Sequence, residues 1–431
     1  MRKIVFIGGG SAKFVREVAV DMFLYPELGE VDIALMDIDL AKARRSEQLL
    51  KKIIAERGVP ARVSATDDQR RALEGADYVV VTIMVGGFKH YKSDGDIPAK
   101  YGVLQSISDT MGPGGVFRTV RTSPVLRELA KNLREVAPHA WVLNYANPMA
   151  MNVWTLLDAG WERTVGLCHS IQWTVLCIAD WLGLPKGEIH YTAGGINHVD
   201  FYLTLEHKGK DVYPLLREAG ARLREKMPEE AVRFELLKYL DYFVAEGAPH
   251  QSEYSAWFRK DQATADAYHS ETFLGYKNDS ENARARAAEI EEQIAGKRPI
   301  QYRRSFEYAA DIIHSFMTGT PRCFYGNVRN NGLIENLPSQ AVVEVPCLVD
   351  QIGIRPCRVG RIPPQLAAVM QPHISLHELA VTGAARKDRR LIRQAIQADP
   401  LTAAICTLPE IEAMVGELFA ENAEYTKDWA K

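Results

Sequence analysis

The chain of 431 residues contains no apolar run near the roughly 20 residues that a membrane-spanning helix requires, which argues against a membrane partner. Cysteine is scarce: Cys168, Cys177, Cys323, Cys347, Cys357 and Cys406 are scattered through apolar stretches, with no C-x-x-C pair. That excludes a disulfide framework for a chain of this size and leaves most of the thiols as small core residues. Neither sign of charge dominates. Fifty-two Lys and Arg face 55 Asp and Glu, a formal net charge of -3, so no basic face is offered to nucleic acid. The apolar run after Arg2-Lys3 is cut short by Gly8-Gly9-Gly10, too soon for a secretory h-region, and the chain reads as cytoplasmic. No repeat, low-complexity tract or Pro/Ser-rich linker divides it. What remains is an ordinary globular composition, 47% apolar and 25% charged, long enough for two intimately packed domains.

The N-terminal part alternates short β-rich runs with helical stretches. Strands are predicted at Lys3–Ile7, Val31–Met36, Arg62–Ala65, Tyr78–Ile83 and Trp141–Tyr145, and helices at Val15–Leu24, Ala41–Arg57 and Ser123–Val136. Such alternation with short connections predicts a Rossmann-like parallel sheet over residues 1–165, covered on both faces. From residue 166 to 431 the pattern is α+β. Ile189–Ala193 and Asp200–Glu206 read as strands of a different, antiparallel sheet, and Val342–Leu348 as another strand. Helices are predicted at Trp173–Leu182, Tyr213–Lys226, Glu230–Tyr242, Ser280–Ile294, Ser305–Thr318 and through Gln365–Phe419, where Asp399-Pro400 interrupts them.

Gly8-Gly9-Gly10-Ser11 follows the first strand and opens the first helix, where a glycine turn presents backbone amides to a pyrophosphate. The third glycine of G-x-G-x-x-G is replaced by Lys13, so the motif is partial. Asp37 ends the second strand, where an acidic residue binds the adenosine ribose and repels a 2′-phosphate, which favours NAD over NADP. Thr82 and Met84, beyond the next apolar strand, are candidates to line the adenine side. Asn147, in Asn144-Tyr145-Ala146-Asn147-Pro148, stands at the carboxyl end of the sheet and is a candidate to hold the nicotinamide or a sugar hydroxyl.

Cys168 and His198 each end a short strand. Spacing alone does not make them a metal site, since a lone thiol or imidazole is usually structural. Two protein ligands with open positions would suit Mn²⁺ or a similar ion better than a closed structural zinc site.

Six segments together carry a resemblance. They are Gly8-Gly9-Gly10-Ser11, Asp109-Thr110-Met111-Gly112-Pro113-Gly114-Gly115, Asn147-Pro148-Met149, Gly166-Leu167-Cys168-His169-Ser170, Gly195-Ile196-Asn197-His198 and Tyr325-Gly326-Asn327-Val328. In this order, over nearly the whole chain, they resemble glycoside hydrolase family 4, the NAD- and metal-dependent glycosidases, an exception to two-carboxylate glycoside hydrolysis. The resemblance implies a lactate/malate dehydrogenase-like N-terminal half and a C-terminal domain that binds metal and substrate. It implies oxidation of the sugar at C3 by NAD⁺, loss of the C2 proton, elimination at C1, addition of water and return of the hydride. Carried onto this sequence, it makes Cys168 and His198 the metal ligands, His169 the acid for the leaving group and Tyr254, in His250-Gln251-Ser252-Glu253-Tyr254, the base.

Within the family, His250–Lys260 and the segment from Tyr325 to Gly332 look most like the melibiase-type α-galactosidases. An α-glucuronidase, α-galacturonidase or α-glucosidase is the alternative within the family, with Arg118, Arg121, Arg259 and Arg329 available to clamp an anionic C6 group. An NAD-dependent 2-hydroxyacid dehydrogenase is the alternative of another class, but the chain has no G-x-H-G run. Family resemblance also implies a homodimer or homotetramer acting on a small-molecule glycoside.

Overall fold

In the first strand, Ile4, Val5, Phe6 and Ile7 are all buried, because alternate residues enter two different cores. Ile4 and Phe6 join the larger one, Val5 and Ile7 the smaller one on the opposite face of the sheet. A strand with both faces covered needs no polar alternation, which is why it reads as a continuous apolar run. The computed structural model describes residues 1–429. Among these, twelve strands join in one sheet: β1 Arg2–Ile7, β2 Val31–Met36, β3 Arg62–Thr66, β4 Tyr78–Val81, β5 Trp141–Asn144, β6 Thr164–Gly166, β7 Ile189–Ile196, β8 Val199–His207, β9 Lys210–Asp211, β10 Arg322–Arg329, β11 Val342–Asp350 and β12 Gly353–Pro356.

The first six strands are parallel and lie in the order β3-β2-β1-β4-β5-β6. This is the doubly wound dinucleotide-binding order, with its switch point between β1 and β4. Helices Ala12–Met22, Leu40–Arg57 and Gly112–Val136 make the crossovers. Leu49, Leu50 and Ile53 on the second of these, and Val116, Phe117 and Val120 on the third, fill the larger core.

The second half corrects one sequence expectation. β7 and β8 are antiparallel to each other as predicted, but they do not form a different sheet. β10 pairs antiparallel to β6 through Asn327 and Gly166, β11 pairs with β10, and β7 pairs with β11 through Glu344 and Gly195. The parallel and antiparallel strands are therefore one surface. This joining depends on pairings between residues far apart in the chain, which local pattern does not encode. Element bounds shift as well: the helices predicted from Ser123 and Ser280 begin at Gly112 and Leu274. The helix predicted from Ser305 begins only at Ala309, leaving Ser305 to Tyr308 irregular. Asp399 not only ends one helix but caps the next, accepting from the backbone N–H of Thr402. No helix among the described residues is long and apolar enough to cross a membrane.

Candidate active site

The turn between β1 and helix Ala12–Met22 is built for close approach. Gly8 has φ +95°, and a Cβ there would stand 2.8 Å from the backbone carbonyl carbon of Thr82. A Cβ on Gly10 would stand 2.5 Å from Lys42 Cβ. The Gly10 N–H donates to Asp37 Oδ2 at 2.9 Å, and the Thr82 hydroxyl donates to the Gly8 carbonyl at 2.9 Å. Asp37 and Thr82 thus brace the turn from its two neighbouring strands. Ser11 is the extended residue that starts the helix, and its side chain caps nothing, so the helix N-terminus keeps free donors. Met84 is 37% exposed in the loop after β4. The cradle, its acidic companion and the free helix end fit a dinucleotide.

At the carboxyl end of the same sheet, three side chains from distant segments converge. Cys168 follows β6, His198 occupies the β7–β8 turn with φ +66°, and Glu246 follows helix Ala231–Leu240. Their donor atoms all lie within 4.8 Å of one another, with His198 Nε2 3.3 Å from Glu246 Oε2. The family resemblance named the first two and not Glu246, which lies in no distinctive motif and reaches the others only through the fold. Burial, with Glu344 and Glu246 nearby, pushes the Cys168 thiol well above its usual range. Burial likewise lowers His198 to about 4, leaving a neutral imidazole. A thiol held protonated by burial, beside an imidazole free to coordinate and a carboxylate, is a set that a divalent cation completes.

Behind this triad lies an ionic cluster of two buried side chains, Asp109 and Arg118, and two half-buried ones, Glu246 and His250. His250 stands 3.7 Å from Asp109 Oδ1 and 3.6 Å from Glu246 Oε1. Burial opposes its charge, but Glu246 and Asp109 raise it to about 9. Burial also works against Asp109, yet His250 and Arg118 hold its carboxyl well below the usual range. Arg118 Nη1 lies 3.5 Å from Asp109 Oδ2, with its guanidinium over the Tyr91 ring at 4.3 Å. Asn147 donates to Asp109 Oδ2 at 2.9 Å, so this amide faces the cluster from the end of β5. Glu253 accepts from the backbone N–H groups of Ile107 and Ser108, at 2.8 and 3.1 Å, and so anchors the loop that carries Asp109.

Tyr254 Oη lies 3.1 Å from His198 Nδ1. Burial, with the carboxylates of Glu253, Asp109 and Glu246 around it, pushes its phenol well above the ordinary value. His169, the start of helix Ser170–Trp181, has Nδ1 3.6 Å from Glu307 Oε1, and burial lowers its pKa. The structure therefore brings Cys168, His198, Tyr254 and Asn147 into one cluster and puts His169 at its edge.

Three of the four arginines weighed for an anionic C6 group are engaged elsewhere, while Arg118 keeps Nε and Nη2 buried without a hydrogen-bond partner. Arg121 is taken up by Asp94, Asn422 and the Val85 carbonyl, and Arg259 by the carbonyls of Leu104, Ser270 and Glu271. Arg329 binds Gln340 and faces Glu162. Only Arg118 borders the cluster, and Asp109 opposes its charge.

Two predictions follow from this geometry. Glu246→Gln should weaken Mn²⁺ binding by on the order of ten-fold or more in calorimetric titration, with circular dichroism unchanged. Unaltered affinity would remove Glu246 from the ligand set. The second concerns pH. His250 has a folded pKa of about 9, above an unfolded value of roughly 6.5, so its stabilising contribution is complete below about 6.5 and disappears as pH rises through the folded value. The melting temperature of the metal-free protein should fall between pH 7 and pH 9.5, and His250→Gln should flatten that fall. An equally steep decline in the variant would mean that another group is responsible.

Comparison with known proteins gives the same placement over the whole length. The family model described as "Family 4 glycosyl hydrolase" matches residues 3–184, and its C-terminal domain matches residues 193–402. An α-galactosidase of Bacillus subtilis is 34% identical over 100% of both chains. An α-galactosidase of Rhizobium meliloti is 36% identical, covering 99% of this chain and 90% of its own. The solved structure of a 6-phospho-α-glucosidase from gut microorganisms, in complex with NAD and Mn²⁺, shares the fold with a TM-score of 0.84 over 98% of each chain at 18% identity. Family membership over both halves of the chain sets aside the dehydrogenase alternative. The chain belongs to the family 4 glycosyl hydrolases.

Proposed function

We propose that this chain hydrolyses α-galactosides with bound NAD⁺ and a divalent metal, Mn²⁺ in the first instance, and that the metal- and substrate-binding half begins at residue 166. The observation that carries the reading is the Cys168–His198–Glu246 triad, set at the carboxyl end of the sheet whose β1 turn is shaped for a dinucleotide. Full-length similarity to two α-galactosidases supports the sugar. So does the state of the arginines. Arg121, Arg259 and Arg329 are held elsewhere, and the charges of Arg118 and His250 are offset by Asp109 and Glu246, so the cluster carries no net positive charge for a C6 carboxylate or phosphate, and the free Arg118 Nε and Nη2 can serve a neutral hydroxyl.

When bound, NAD⁺ supplies a hydride acceptor and the metal supplies positive charge beside the sugar hydroxyls. The chain's own residues do the rest. Gly8, Gly10 and Ser11 receive the dinucleotide, with Asp37 at the ribose and Thr82 and Met84 toward the adenine. Cys168, His198 and Glu246 hold the metal. Asn147, fixed by its bond to Asp109, orients the substrate. Tyr254 Oη receives the C2 proton. Burial and the surrounding carboxylates keep it a phenol in the metal-free protein, so its service as a base requires the charge that the triad is built to hold. His169, at the edge of the triad, faces the leaving-group oxygen.

The test is release of p-nitrophenol from p-nitrophenyl α-galactoside by purified protein supplied with NAD⁺, Mn²⁺ and a thiol reductant, each omitted in turn. Activity should require all three. Release only from the galacturonide or glucuronide would keep the mechanism and replace the sugar, while release indifferent to NAD⁺ in cofactor-free protein would end the oxidative reading. We also place the enzyme in the cytoplasm, in keeping with six free cysteines, as a homodimer or homotetramer. Sedimentation velocity should show one of these two species, and a monomer at micromolar concentration would contradict it.

A further inference from the structure

Glu344 is a carboxyl group that the chemistry above does not use, yet it stands inside the joined sheet and is fully buried. Its Oε1 has no hydrogen-bond partner, and its Oε2 accepts from the Asn197 amide at 3.1 Å. A buried carboxyl so sparsely satisfied costs stability, and an apolar side chain would fill the same volume more favourably. Its position points to a purpose. Glu344 is the β11 member of a row that crosses five strands: Gly166 on β6, Asn327 on β10, Glu344, Gly195 on β7 and Asp200 on β8. One end of this row is two residues from Cys168, and the other is two residues from His198.

Two glycines let the row close up. A Cβ on Gly166 would stand 2.9 Å from Asn327 Cβ, so Asn327 lies directly beside the strand that delivers Cys168, and its amide donates to the Gly166 carbonyl at 3.5 Å. A Cβ on Gly195 would stand 2.4 Å from the Val199 carbonyl oxygen and 2.8 Å from Met370 Cε, so no larger residue fits between Glu344 and β8. The β7–β8 hairpin turns on two residues, Asn197 and His198, since Ile196 pairs with Val199. His198 takes φ +66°, a left-handed conformation that a glycine would adopt at no steric cost and that another residue keeps only when its surroundings enforce it. The surroundings do so here. Gln251 donates to the His198 carbonyl, Tyr254 Oη lies 3.1 Å from its Nδ1, and Glu344 holds Asn197, the other residue of the turn.

We propose that Glu344 is a positioning residue of the metal site, which fixes the His198 turn through Asn197 and so sets the spacing of His198 from Cys168 at the other end of the row. β11 lies between the strands of the parallel half and the β7–β8 hairpin, so a side chain anchored there registers one ligand against the other. Glu344 is not itself a ligand. Its effect passes through the Asn197 hydrogen bond. The proposal rests on the Cys168–His198–Glu246 reading and deepens it by naming what holds that triad in shape.

The experiment is calorimetric titration of the purified full-length protein with Mn²⁺ and, separately, with NAD⁺. Glu344→Leu should weaken Mn²⁺ binding by roughly 10- to 100-fold, the usual effect of losing a partner that orients a ligand, and leave NAD⁺ affinity unchanged. Glu344→Gln keeps an oxygen toward Asn197 and should restore most of the loss. Asn197→Ala should match Glu344→Leu, and the double variant should be no weaker than either single one, because both remove the same hydrogen bond. In Co²⁺-loaded protein the visible absorption, which follows ligand geometry, should change in Glu344→Leu and stay in Glu344→Gln. Undiminished Mn²⁺ affinity in folded Glu344→Leu would overturn the proposal. So would an equal loss in Glu344→Gln, which would assign the effect to charge, or a parallel loss of NAD⁺ affinity, which would assign it to general loosening. Where Glu344→Leu does not fold, Asn197→Ala decides by the same criteria. A wild-type protein that binds neither Mn²⁺ nor Co²⁺ would end the metal reading and the proposal with it, a result distinct from all of these.

Discussion

The ionic cluster of Asp109, His250, Glu246 and Arg118 is the constraint on which the active end of this molecule depends. Each of these charges would cost several kcal/mol to bury alone. Together, two carboxylates face one guanidinium and one imidazolium, so the set approaches neutrality before any ligand arrives. That balance keeps the buried Asp109 and the half-buried Glu246 ionised, and it leaves Glu246 an anion beside Cys168 and His198. It also leaves His198 neutral while its neighbour His250 is charged, since burial and the charge on His250 outweigh Glu246 at His198, whereas Glu246 and Asp109 together outweigh burial at His250. Two adjacent histidines with opposite protonation have different capacities: a neutral imidazole can coordinate a cation, and an imidazolium balances carboxylates.

The surrounding framework exists to bring these groups together. Asp109 and Arg118 come from the segment before β5 and the helix that follows it, whereas Glu246 and His250 come from the far side of the β7–β8 hairpin. They meet because β10 and β11 bridge the parallel strands to the antiparallel ones. Glu253 then fastens the Asp109 loop by its backbone, and His373 donates from a C-terminal helix to the Tyr254 carbonyl at 2.8 Å. Positions set by hydrogen bonds to backbone tolerate little drift, which a site that must hold metal, cofactor and sugar together requires.

The two halves of the site were unequally legible. The dinucleotide turn could be read directly, because a glycine turn, the strand before it and the helix after it are contiguous, and Asp37 ends the very next strand of the sheet. The metal site could be read only through resemblance: Cys168 and His198 sit in separate motifs, and spacing gives no reason to join them. Glu246 lay beyond both routes. It is a lone glutamate between Ala245 and Gly247, distinguished only by where the chain delivers it. The start of helix Ala309–Thr318 was misplaced for a similar reason. Ser305 to Tyr308 has the pattern of a helix start, but there the chain leaves helical form to wrap the end of helix Ala12–Met22, with Asp21 accepting the Ser305 backbone N–H at 2.8 Å.

What the sequence by itself determined is therefore local or inherited. It settled the strand–helix alternation of the first half, the glycine cradle with its acidic partner, the absence of a membrane-spanning helix and, through ordered motifs, the family. Short-range propensity and hydrophobic period act over a few residues, and motifs preserve contacts already selected. Tertiary structure alone decided that both halves share one sheet, that the Glu246 carboxylate stands beside Cys168 and His198, and which arginines are already occupied. Those outcomes depend on pairings between segments often a hundred or more residues apart and on charge balance in a buried volume, and neither is written in any single stretch of chain.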